Sequence, residues 1–70
     1  MDWERIRAGH YRAAGNEDGK PYEYMIMKLE KGSWRSYDEL NKNELGYVRP
    51  VADGDTLSTC KHRTEVAHTK

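Results

Sequence analysis

Hydrophobic and polar positions alternate along several short stretches of the chain, and the alternation predicts strands before it predicts anything else. The clearest run spans residues 22–29, Tyr-Glu-Tyr-Met-Ile-Met-Lys-Leu, and turns at Glu30, Lys31 and Gly32 into Ser33, Trp34, Arg35, Ser36 and Tyr37. A slip of one residue in this hairpin would carry a whole set of side chains to the opposite face. Two registers are open. A two-residue turn at Lys31-Gly32 sets Leu29 against Trp34, but requires positive φ at Lys31. A type I turn at Glu30-Lys31, followed by Gly32 as a left-handed bulge residue, sets Lys28 against Trp34 and Ile26 against Ser36. Turn chemistry favours the second, because only glycine then takes positive φ. That register puts Tyr24, Ile26 and Trp34 on one face and Met25, Met27, Leu29, Arg35 and Tyr37 on the other.

The remaining elements follow from the same patterning. Residues 10–14 read as a short first strand, closed by the turn cluster at 15–19, and Pro21 starts the next strand where no ladder donor is needed. Trp3 and Ile6, three apart behind Asp2, suggest a single helical turn or a tucked arm over residues 1–8. Residues 38–44 read as a loop and 46–51 as strand-like, with Pro50 restricting that segment to an edge. After a turn at 53–55, Leu57, Cys60, Thr64 and Ala67 recur at helical spacing behind the capping candidate Asp55. A helix over 55–67 is too short to stand alone and must dock on the sheet. The expected fold is α+β: one domain over residues 1–70, with a three- or four-stranded antiparallel meander in 9–51 and one C-terminal helix packed on one face. The end, from His68, is expected to fray.

Composition narrows what such a domain can do. With no Phe and 36% hydrophobic residues, the core must lean on two Trp and five Tyr. Twelve basic residues balance twelve acidic ones, so no overall field draws the chain to nucleic acid. A local patch of Arg12, Lys28, Arg35 and Arg49, with Arg5 and Arg7 nearby in sequence, is the candidate for such binding, in the manner of strand-read DNA domains. A single Cys and no long apolar run fit a cytoplasmic protein without a membrane anchor.

Candidate chemistry is sparse. Cys60, His62, His68 and His10 lack the paired spacing of a zinc site, and on a helix Cys60 and His62 point to different sides. No base stands at defined spacing from Cys60, and no motif joins His10, Asp38 and Ser58. No metal, cofactor or catalytic residue is expected, and the chain reads as a non-enzyme. The set Met25, Met27, Leu29, Arg35 and Tyr37 has the composition of a protein-binding surface, unless the N-terminal arm folds over it. A homodimer through this face or an exposed edge is the further alternative.

Trp3, Gly9-His10-Tyr11, Tyr24-Met25-Ile26, Gly32-Ser33-Trp34 and the run Thr56-Leu57-Ser58-Thr59-Cys60-Lys61 together resemble the pattern of small accessory proteins of tailed bacteriophages that infect actinobacteria. The chain departs from that pattern at 38–44, where it carries extra residues. The resemblance implies a phage protein that acts on host machinery by binding, its partner a host or phage protein, in the host cytoplasm. It carries over no catalytic residues.

Overall fold

The computed structural model describes residues 1–69. Five strands are followed by one helix: β1 (Glu4–Arg7), β2 (His10–Glu17), β3 (Lys20–Lys28), β4 (Trp34–Asp38), β5 (Arg49–Gly54) and α1 (Leu57–His68). The strands form one antiparallel sheet in the order β1-β2-β3-β4-β5, so each pairs with its neighbours in sequence. The α+β class is as expected, with more strands than the three or four expected.

Two of the hairpins, β2–β3 and β3–β4, owe their register to residues that accept positive φ. Asp18 and Gly19, at φ 51 and 78, form a two-residue turn between Glu17 and Lys20, as a type I′ hairpin requires. The turn expected over 15–19 is therefore confined to two residues, and β2 runs on through Glu17. In the second hairpin the Gly32 N–H donates to the Leu29 carbonyl at 2.9 Å and the Leu29 N–H to the Ser33 carbonyl at 2.7 Å, with Gly32 at φ 88. Lys28 lies opposite Trp34 and Ile26 opposite Ser36, the register that turn chemistry favours.

Two segments depart from expectation. The N-terminal segment forms an edge strand instead of a helical turn: a single turn leaves its backbone groups largely unpaired, whereas β1 pairs them along β2, with an irregularity between Arg5 and Arg7. The fifth strand begins at Arg49 and continues through Gly54, past the position expected for the turn, because Gly54 packs directly beneath the helix. A Cβ on Gly54 would stand 2.5 Å from the Cys60 amide nitrogen, so only glycine permits that approach.

The helix is capped by Thr56 rather than Asp55: the Thr56 hydroxyl oxygen accepts from the Thr59 N–H at 3.1 Å. The covered side of α1 runs Leu57, Cys60, Lys61, Thr64, Glu65 and His68, whereas Ala67 faces solvent. Cys60 and Thr64 are fully buried, against Ala13, Tyr24, Ile26 and Ser36 of the sheet. Around this small centre the polar members of the stripe rest on rings. Lys61 Nζ sits 4.9 Å from the centroid of Tyr11, Glu65 accepts from Trp3 Nε1 at 3.4 Å, and the His68 ring packs 4.7 Å from Tyr22. Trp34, on the same face as Tyr24 and Ile26, is half-buried and meets Tyr11 edge-on at 5.9 Å.

Candidate interaction face

Strand alternation places Ala13, Tyr24, Ile26 and Ser36 toward α1, so their neighbours face the other way. His10 and Arg12 of β2, Met25 and Met27 of β3, and Arg35 and Tyr37 of β4 share that second face. Among the described residues no element lies across it, because β1 pairs in the plane of the sheet. Met27 is 42% exposed, and Met25, Arg35 and Tyr37 are half-exposed. Leu29, just beyond β3, is half-buried and joins Met25 and Met27 in lining a shallow groove of about 700 Å³ beside Arg7 and His10. The structure thus brings together all five residues read as a protein-binding surface.

Two ion pairs flank the methionines. Arg12 Nε donates to Glu23 at 3.1 Å, and Arg35 Nε donates to Asp53 at 2.7 Å. The hydrogen bond from Arg35, with the charge of Asp53 behind it, raises the guanidinium pKa further. The four residues read as a nucleic-acid patch do not converge. Arg12 and Arg35 occupy the open face with carboxylate partners. Lys28 stands beside Trp34 on the other face, its Nζ 5.8 Å from the ring centroid, and Arg49 lies opposite Asp38, also on the helix side.

The residues weighed for metal binding and catalysis are also dispersed. Cys60 is buried on the sheet-facing side of the helix, where desolvation raises its thiol pKa, the opposite of what a nucleophile requires. His62 is exposed on the helix, and His10 is on the open face. Asp38 is buried on the helix side and accepts from the Leu40 and Asn41 N–H groups at 3.1 and 3.2 Å, closing the start of the loop, while Ser58 is exposed.

One constellation escapes sequence reasoning. The end of α1 is held down by His68: Tyr24 Oη lies 2.9 Å from Nδ1 and Glu17 Oε2 lies 2.9 Å from Nε2. The Glu17 carboxylate can only accept, so in a neutral ring Nε2–H donates to Glu17 and Nδ1 accepts from the Tyr24 hydroxyl, whose pKa is raised by burial and then by the charge of Asp38. A cleft of about 340 Å³ adjoins this chain of bonds. The signal was present: His68 falls on the same helical stripe as Leu57, Cys60 and Thr64. Hydrogen bonds at both His68 ring nitrogens fasten the helix terminus to β2 and β3.

No protein-family model matches the chain, and neither the curated proteins nor the solved structures contain a match. No helix among the described residues is long and apolar enough to cross a membrane.

Proposed function

We propose that this chain is a small non-enzymatic protein that binds another protein through its open sheet face, with Met25, Met27, Leu29, Arg35 and Tyr37 as the contact residues. The observation that carries this reading is the apolar centre of that face, left uncovered because the N-terminal segment pairs at the sheet edge instead of crossing it. Met, Tyr and Arg are enriched where proteins meet, and flexible methionines adapt to a partner's surface. The sheet edges support the same choice. β1 is only four residues long, irregular and charged, and β5 carries Pro50, features that discourage pairing with another strand. The partner is a host or phage protein and the setting the host cytoplasm, in keeping with the resemblance to phage accessory proteins.

The test compares the parent with Met27→Asp. Capture from actinobacterial lysate, followed by binding measurements with the purified partner, should show a folded variant that has lost the partner. Undiminished binding would sink the proposal, as would unfolding of Met27→Asp. A dimer of the parent that Met27→Asp dissolves would assign the face to self-association instead.

A further inference from the structure

We infer that the occupant of the groove at the Met27 end of this face is an apolar peptide segment that carries a carboxylate, with Arg7 as its anchor. This rests on the open face being the binding surface. The floor of the groove is Met25, Met27 and Leu29, and its volume of about 700 Å³ takes a few residues of a partner rather than a whole domain. Its charge is decided by which arginines remain free. Arg12 and Arg35 are engaged by Glu23 and Asp53, whereas Arg7, exposed on the same face, forms no ion pair among the described residues. His10 lies directly opposite Arg7 and adds an imidazole N–H donor beside the guanidinium. The Lys28 ammonium is turned away against Trp34, and Glu30 also lines the groove. A carboxylate is therefore drawn to Arg7 and His10 and kept from Glu30.

The probes are three blocked hexapeptides with the same two central leucines, flanked by Asp, Gln or Lys, titrated into the isotopically labelled full chain by NMR. The Asp peptide should bind at least about tenfold more tightly than the Lys peptide, with shifts centred on Met25, Met27 and Leu29 and with affinity that falls as salt rises. Arg7→Glu should reverse the order, and Arg7→Gln should abolish it, both with unchanged melting. Equal affinity for all three peptides would overturn the acidic partner while leaving the face-binding reading intact. Binding of none, or of decanoate alone, would overturn the inference, and capture by parent against Met27→Asp would still decide the reading beneath it.

Discussion

The hydroxyl oxygens of Ser36 and Thr64 lie 2.7 Å apart in the fully buried contact between sheet and helix, joining β4 to α1 across 28 positions of sequence. Thr64 Oγ1 is also 2.7 Å from the Cys60 carbonyl, so the chain that uses both short contacts runs from the Ser36 O–H to Thr64 and from the Thr64 O–H to Cys60. A core so short of large aliphatics depends on polar groups that satisfy one another. Thr64→Val leaves the Ser36 hydroxyl only a 3.4 Å contact with the Ala52 carbonyl, and Ser36→Ala leaves Thr64 bonded to Cys60 alone, so each should cost about 0.5–1.5 kcal/mol for the lost bond. The double variant should cost less than the sum of the two. Urea melts of all four proteins measure the coupling, and strict additivity would show that the bond does not matter.

Gly54 and Gly32 are predicted to fail differently. A methyl on Gly54 meets the Cys60 backbone, so Gly54→Ala must lift the start of α1 and should cost at least about 2 kcal/mol. A methyl on Gly32 meets open space but must adopt φ 88, and Gly32→Ala should cost only about 1 kcal/mol. Equal losses in thermal melts would contradict the close helix approach.

Trp34 and Met27 separate the two faces of the sheet. Trp34→Ala removes a half-buried ring and should cost toward the low end of roughly 3–5 kcal/mol, a large share of the stability of so small a domain. Met27→Asp on the open face should cost no more than about 1 kcal/mol. The reverse ranking in denaturant titrations would mean that the open face is covered.

High pH should weaken the fold. Burial raises the Cys60 thiol above its ordinary 9.0 and the Tyr24 hydroxyl above its ordinary 10.0. Both groups favour the neutral form when folded, so the unfolded chain releases their protons first. Stability from them is complete below pH 9.0 and is lost as pH rises through the folded values. Urea melts between neutral and strongly alkaline pH should show this decline, with Cys60→Ala lacking its earlier part. A flat profile in the parent would refute the assignment.

Loss of His68 should loosen the helix terminus without unfolding the domain. His68→Ala removes the bond from Tyr24 and the contact with Glu17, and should cost about 1–2 kcal/mol. Hydrogen exchange should rise at residues 64–68 and stay unchanged at 57–61. A uniform rise would mean that the clamp has no local role.

What the sequence determined by itself was the part governed by a few local dihedral angles. The preference for positive φ at Gly32 selects the Lys28 to Trp34 register, and that register decides that Met25, Met27, Arg35 and Tyr37 share a face. Pro50 marks an edge because it has no N–H for the ladder. Tertiary structure alone decided the rest. Glu4–Arg7 has no hydrophobic alternation to mark it as a strand, and it becomes one because β2 offers an unpaired edge. That placement leaves the methionine face open. The covered side of α1 includes Lys61, Glu65 and His68, polar residues whose docking depends on Tyr11, Trp3 and Tyr24 standing beneath them. Hydrophobic periodicity cannot show such contacts, because they arise from pairs of residues far apart in the chain rather than from the composition of either segment.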